Sequence, residues 1–289
     1  MSDRQWAGMM LGDEAYAGSR NFFHLEAAVQ EIYGYKHLVP THQGRGAEHL
    51  LSQTLIKPGN VIPGNMHFTT TRLHQELAGG RFVHVIIDEA PDPKSEHPFE
   101  GEVDLAKLQE VIDEVGADHI PYACIATAVN MAGGQSISLG NLRKVRELTS
   151  KHGIRIIHDA TRVAEIVRTI CDLSDGCTMS AKKDALVDTG GFLALNEDDV
   201  FDACRNLVVV YEGPHTYGGM AGHDMEAVAG GLHESVQSDH IKARVGQVKY
   251  LGETPQGYGV PIVVPIGSHG VFLDAKAFLP HLDQDTYPA

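Results

Sequence analysis

The chain has 289 residues, enough for one large α/β domain or for one domain with part of another. Its net charge of −15, with histidines neutral, argues against a nucleic-acid surface. Four cysteines stand apart without a CxxC pair, no run approaches the ~18 apolar residues of a membrane span, and the N-terminus lacks the apolar core of a signal peptide, which together predict a cytoplasmic protein with free thiols.

Residues 1–20 are rich in Gly, Met and Asp, and no long element is predicted there. Residues 23–33 read as a helix, with Leu25, Ala28, Val29 and Ile32 on one face and Gly34 as its stop. A short strand at 36–40 leads into Thr41-His42-Gln43-Gly44-Arg45-Gly46 and a helix over 47–56. Glycines at a helix start let backbone N–H groups meet an anion, and Arg45 adds a forked donor suited to phosphate. A plain tight turn is the alternative. Within 61–71, Phe68 sits among Thr69, Thr70 and Thr71, either as a core aromatic beside capping hydroxyls or as a ring-stacking side chain. Residues 83–87 are a strand candidate, and 91–101 a proline-rich loop.

From Asp104 helix and strand alternate regularly. Leu105, Leu108, Val111, Ile112 and Val115 mark one helix face. Residues 120–129 are apolar enough for one strand covered on both sides, ending at Asn130. Ser138 caps the next helix, whose apolar face is Leu139, Leu142, Val145 and Leu148 and whose stop is Gly153. A buried strand at 154–157 leads to Asp159. Strands joined by helical crossovers predict a mainly parallel sheet, and such sheets bind ligands beyond the carboxyl ends of their strands. Asn130 and Asp159 sit at two such ends. Asp159 either caps the following turn or pairs with a cation such as a protonated ring nitrogen.

The strand 176–180 runs into Ser180-Ala181-Lys182-Lys183-Asp184, and a second apolar run follows at 190–195. A lysine between strands is pushed toward its neutral, nucleophilic form by desolvation and by a neighbouring cation, here the adjacent lysine. The bland alternative is a solvated basic turn. Beyond it a helix at 197–207, a strand at 207–211, an amphipathic stretch over 221–250 and β-like runs at 260–264 and 270–273 are predicted. Seventeen histidines fall into no tight ligand spacing, so no histidine metal site is predicted. An anion cradle, an aromatic among hydroxyls, an Asn and an Asp at strand ends and a strand-bound lysine pair are the parts that pyridoxal phosphate (PLP) asks of a protein.

The stretches Val39-Pro40-Thr41-His42-Gln43-Gly44-Arg45-Gly46-Ala47-Glu48, Gly64-Asn65-Met66-His67-Phe68-Thr69-Thr70-Thr71-Arg72, Val129-Asn130-Met131-Ala132-Gly133-Gly134-Gln135, Asp159-Ala160-Thr161-Arg162 and Met179-Ser180-Ala181-Lys182-Lys183-Asp184 together resemble the β-eliminating lyases, the family of tyrosine phenol-lyase and tryptophanase. The resemblance runs in order over nearly the whole chain. It implies an α/β PLP-dependent transferase-like fold of the aspartate aminotransferase type (fold type I), with a mainly parallel sheet, and a homotetramer built as a dimer of dimers. Residues 1–237 would form the PLP-binding large domain, with 1–22 as an intersubunit segment, and 238–289 a connecting helix and the start of an incomplete small domain.

The resemblance also implies roles. Lys183 carries the Schiff base and moves the Cα proton of the amino-acid substrate. Gln43, Gly44, Arg45, Ser180 and Lys182 hold the phosphate, Phe68 stacks on the ring, Asn130 and Arg162 bond the 3′-oxygen, and Asp159 pairs with the ring nitrogen. Tyr16 reaches a neighbouring subunit's site and helps protonate the leaving group. Glu14 and Asp188 belong to a monovalent-cation site, usually potassium. The implied reaction is β-elimination of tyrosine to phenol, pyruvate and ammonia. Thr69, counted among the catalytic positions, follows the phenol-lyase pattern, where tryptophanases have Asp. Ala181 leans toward tryptophanase, which would release indole from tryptophan.

Against the family pattern, the N-terminal arm and the C-terminal small domain, with its carboxylate-binding arginine, are expected to be missing. A helical segment is expected to be missing after residues 160–165, before Ile166-Val167-Arg168. His67 stands for the usual Tyr, and Pro214-His215 for the usual Phe-Pro. A catalytically impaired PLP-binding fragment is therefore a further alternative.

Overall fold

The computed structural model describes residues 1–162, 167–283 and 285–286. In chain order the elements are α1 (Asp3–Met9), α2 (Arg20–Ile32), β1 (His37–Thr41), α3 (Gly44–Leu55), β2 (Val61–Gly64), α4 (Thr69–Leu77), β3 (Arg81–His84), α5 (Leu105–Val115), β4 (Tyr122–Ala126), β5 (Ala128–Val129), β6 (Gln135–Ser136), α6 (Leu139–Lys151), β7 (Arg155–Asp159), α7 (Val167–Cys171), β8 (Gly176–Ser180), β9 (Gly191–Leu195), α8 (Asp198–Tyr211), α9 (Gly222–Ser235), α10 (Ser238–Gly257) and α11 (Ala275–Phe278). The expected loss of a helical segment concerns residues 163–166, which lie outside the described residues.

Seven strands form one sheet in the order β1-β9-β8-β7-β4-β2-β3. β9 runs antiparallel to both of its neighbours, and the pairs β8–β7, β7–β4, β4–β2 and β2–β3 are parallel. Because successive side chains point to opposite faces, each strand feeds two cores. Ala123, Ile125, Ile156, Phe192 and Ala194 pack on the side of α2, α5, α6 and α9 with Leu25, Leu108, Leu142 and Leu232. Tyr122, Cys124, Ile157, Leu193 and Leu195 pack on the side of α3 and α8 with Leu50, Leu51, Cys204 and Val208. Both faces are therefore covered, which leaves the strand ends as the place for polar chemistry. All four cysteines are buried and unpaired.

Several predicted elements change shape. The strand expected over 120–129 stops at Ala126, because the buried Asn65 side chain takes both backbone groups of that residue: its Oδ1 accepts from Ala126 N at 2.9 Å and its Nδ2 donates to Ala126 O at 2.8 Å. The chain then makes a separate two-residue pairing of β5 with β6. The strand expected at 207–211 is the last turn of α8. Val200, Cys204 and Val208 recur at helical spacing and are buried, whereas Val209 and Val210 are exposed. The stretch expected as one amphipathic run is two helices, α9 and α10. The β-like runs near the C-terminus keep only an isolated bridge between Ile262 and Leu273. The short helices α1 and α4 are not among the predicted elements.

Candidate active site

The site lies at the carboxyl edge of the sheet. Thr41, Asp159 and Ser180 end β1, β7 and β8, and the antiparallel β9 begins at the same edge with Gly191. Register places Ser180 opposite Gly191 and Gly191 opposite Thr41. This row has no room for a side chain at its centre. A Cβ on Gly191 would stand 2.5 Å from Gln43 C and from Gly44 N, and one on Gly44 would stand 2.7 Å from Ser180 Cβ. Two glycines thus let the start of α3 close onto the end of β8.

An open cleft of about 530 Å³ results. One wall is Gln43, Gly44 and Arg45 at the start of α3, facing Ser180 and Lys183. Another is Asp159, Thr161 and Arg162, and Phe68 and Thr70 from the start of α4 complete the rim. Gln43 is the N-cap of α3 but makes no capping bond with its side chain, which leaves the first N–H groups of the helix without that partner. Phe68 is the N-cap of α4 and is 38% exposed, which removes it from the core.

Lys183 is half-buried and its Nζ donates to Ser180 Oγ at 2.9 Å. Burial holds the amine below the ordinary lysine range, and the Arg162 and Lys182 charges add to this while Asp159 opposes it. Burial likewise lowers Arg162, against the pull of Asp159 and Asp184. Asp159 accepts from Thr161 N at 3.1 Å. This aspartate therefore both caps the following turn and lines the cleft.

Not every expected residue meets in the cleft. Lys182 is exposed and outside its lining, as is Thr69, whose neighbour Thr70 lines it instead. Asn130 lies beyond β5, and its Oδ1 is 3.0 Å from His269 Nε2. Tyr16 is 76% exposed, with its ring 6.0 Å from that of Tyr217. The Glu14 carboxylate accepts from Gly222 N at 3.0 Å and His223 N at 3.2 Å and meets His223 Nδ1 at 2.7 Å, so it caps α9. Asp188 is exposed. No group of three or more His, Cys, Asp or Glu side chains able to hold a metal occurs among the described residues.

Glu48, Thr161 and Thr178 line the cleft and had no role in the sequence reading. Glu48 had a usable signal: it falls three and four residues after Arg45 and Gly44, on the same helix face.

Comparison with solved structures gives the class. A putative L-allo-threonine aldolase from Listeria monocytogenes superposes with a TM-score of 0.72 at 15% identity, over 95% of this chain and 77% of the other. A putative aromatic amino acid β-eliminating lyase/threonine aldolase from Exiguobacterium gives 0.71 at 16%, over 98% and 82%. Serine palmitoyltransferase from S. paucimobilis, with a bound PLP–myriocin aldimine, gives 0.70 at 12%, over 99% and 72%. The fold is that of the fold type I PLP-dependent enzymes.

The family description "Beta-eliminating lyase" matches residues 1–285, and the chain belongs to that family. Among its relatives are proteins named tyrosine phenol-lyase from Nostoc punctiforme, 63% identical over 100% of this chain and 66% of the relative, and from Fusobacterium nucleatum, 56% identical over 100% and 67%. The chain spans about two thirds of the length of these relatives, and each alignment takes 308 positions against the chain's 289 residues.

The cleft fits PLP on its own chemistry. The glycine-floored start of α3, Arg45 and the Ser180 hydroxyl form a cradle for an anionic phosphate. Asp159 would offer a carboxylate to a protonated pyridine nitrogen, the half-exposed Phe68 ring a stacking face, and Lys183 the amine.

Proposed function

We propose that this chain binds PLP on Lys183 and serves a lyase that removes the β-substituent of an aromatic amino acid, tyrosine being the substrate. The observation that carries the reading is the half-buried Lys183 amine, held below its ordinary range in the same cleft as Asp159, Phe68 and the start of α3. The names of relatives 53–63% identical favour tyrosine.

When bound, PLP supplies an electron sink for a carbanion at the substrate Cα. This chain's own groups do the rest. The start of α3 with Arg45 and Ser180 anchors the phosphate and so fixes where the ring lies. Asp159 holds a proton on the ring nitrogen by placing a negative charge beside it. The lowered Lys183 amine, once free, takes the Cα proton as a general base, since a base works best with its pKa near the working pH. Phe68 covers one ring face. Arg162 would bond the 3′-oxygen, Asn130 would join it only on leaving His269, Lys182 would add its charge near the phosphate from outside the cleft lining, and Thr69 would act on the leaving group.

The proposal extends to assembly. Tyr16 would act in a neighbouring subunit's cleft, and the exposure of Trp6, Met10, Leu11 and Phe23, all within the first 23 residues, supports an N-terminal segment that meets another copy in a homotetramer. A potassium ion at Glu14 and Asp188 would have to displace His223 from the Glu14 carboxylate.

The test is spectroscopic, then chemical. Addition of PLP should produce the long-wavelength absorbance of a lysine-bound cofactor, absent from Lys183→Ala, and L-tyrosine should then release phenol and pyruvate. An absorbance unchanged by Lys183→Ala would overturn the assignment of the lysine. Cofactor binding without turnover of tyrosine would mean that this chain holds the cofactor site alone.

A further inference from the structure

A second, smaller cavity lies behind Asp159. Glu48, Asp159 and Thr178 line both it and the cleft, and its far wall is formed by Gln75 of α4 and by Tyr122 and Cys124 of β4. It has room for about one water molecule. Two of its polar atoms, Glu48 Oε2 and Gln75 Oε1, are buried without a hydrogen-bond partner among the described residues. Both accept as drawn, so neither can satisfy the other directly. The other Glu48 oxygen accepts from Thr71 Oγ1 at 2.6 Å.

The charged and titratable groups facing Glu48 are few. Asp159 comes from β7, Arg45 from α3 itself, and Tyr122 and Cys124 from β4, where burial pushes both well above their ordinary values and keeps them neutral. α4 contributes the hydroxyls of Thr70 and Thr71 and the Gln75 amide, and also carries His74, whose ring is 5.3 Å from that of His49. Of the charges acting on Glu48, Asp159 opposes its ionisation and Arg45 favours it. Burial, with Asp159 adding to it, pushes the Glu48 carboxyl up to about 7, while Thr71, Thr70 and Arg45 pull the other way.

We propose that Glu48 is a positioning residue of the cofactor site, its neutral carboxyl donating through a water in the second cavity to Gln75 Oε1 and Asp159, so that Asp159 is the one negative charge behind the ring nitrogen. The water accepts from Glu48 Oε2–H and donates twice, which satisfies both orphaned oxygens and leaves Asp159 as an acceptor toward the cleft. The cofactor half of this inference rests on the PLP reading above. The proton on Glu48 does not.

The test separates the two. Infrared difference spectra of the cofactor-free chain, wild type minus Glu48→Gln, should show the carbonyl stretch of a neutral carboxylic acid below pH 7. It should disappear with a midpoint near 7. Thr71→Val should move that midpoint upward, because the lost hydroxyl favoured the ionised form. With PLP bound, the cofactor's absorbance should show a pH-dependent step that Glu48→Gln lacks. No neutral-acid band at pH 6, or a midpoint indifferent to Thr71→Val, overturns the proton on Glu48. A cofactor spectrum without the step overturns the positioning role. A wild type that shows the band but binds no PLP overturns the lyase reading, and the cofactor role with it, and leaves the protonated Glu48 established.

Discussion

Lys183 Nζ donates to Ser180 Oγ at 2.9 Å, which ties the amine to the residue that ends β8. Ser180 is also where α3 closes, through Gly44, and where the Asp159 loop touches, since Ser180 N donates to Thr161 Oγ1 at 3.4 Å. The cradle, the amine and the turn after Asp159 therefore meet at one residue. This shared contact makes the site testable by substitutions that do not touch the amine.

Lys182→Ala should change the pH at which cofactor attaches. Lys182 is exposed and outside the cleft lining, yet its charge lowers the Lys183 amine. Removing it lets that pKa rise, so less amine is neutral at a given pH and the midpoint of PLP attachment moves to higher pH. A pH titration of the cofactor absorbance checks this. An unmoved midpoint would show that burial and Arg162 alone set the amine.

Gly44→Ala should damage the cradle selectively. The added methyl would meet Ser180 Cβ at 2.7 Å and Ser180 N at 3.0 Å, and these are backbone-fixed atoms that cannot swing aside. Relief requires α3 to back away from β8, at a cost on the order of 1–3 kcal/mol. PLP affinity should fall at least tenfold, while urea unfolding shows a cooperative transition of lower midpoint. Unchanged affinity would remove the α3 start from the phosphate site.

His158 should limit stability in acid. It is fully buried on β7 with its Nε2 against the Thr127 hydroxyl, and burial drives it from 6.5 down to about 3. The unfolded chain takes up this proton below pH 6.5 and the folded chain does not, so stability is whole above 6.5 and is lost as pH falls toward 3. Denaturant midpoints between pH 7 and 4 should decline in the wild type and decline less in His158→Gln. Equal slopes would place the acid sensitivity elsewhere.

Much of this site was legible because its residues act where they stand in sequence. Asp159, Ser180 and Lys183 follow buried strands at once, and the Gly44-Arg45 start of α3 is a single turn, so strand ends and helix starts identified them. Legibility failed where position depends on distant partners. Nothing in the apolar run at 120–129 announces that Asn65, far back in the chain, ends it at Ala126. Val208, Val209 and Val210 have the composition of a strand, and only the burial of Val200, Cys204 and Val208 against α3 and β9 makes them helical. Glu48 is legible only in part: its spacing sets it on the Arg45 face of α3, but the cavity behind Asp159 is closed by α4 and β4, which local spacing does not encode.

Arg244→Ala should show how far the lysine turn leans on α10. Asp184 follows the lysine directly, is 3% exposed, and accepts from Arg244 Nη1 at 2.6 Å. This pair fastens the middle of α10 to the turn that presents Lys183. Removing the guanidinium takes one partner from a buried carboxylate, which costs about 1.5–3 kcal/mol for a charged hydrogen bond. The same change withdraws a cation that lies close enough to lower Arg162. Unfolding in urea should therefore lose stability in that range, and the pH midpoint of PLP attachment should move if the turn relaxes. Arg244→Lys, which restores charge without the fork, should recover part of the stability. Full stability in Arg244→Ala would show that Asp184 is held by its other contacts and that α10 does not position the lysine.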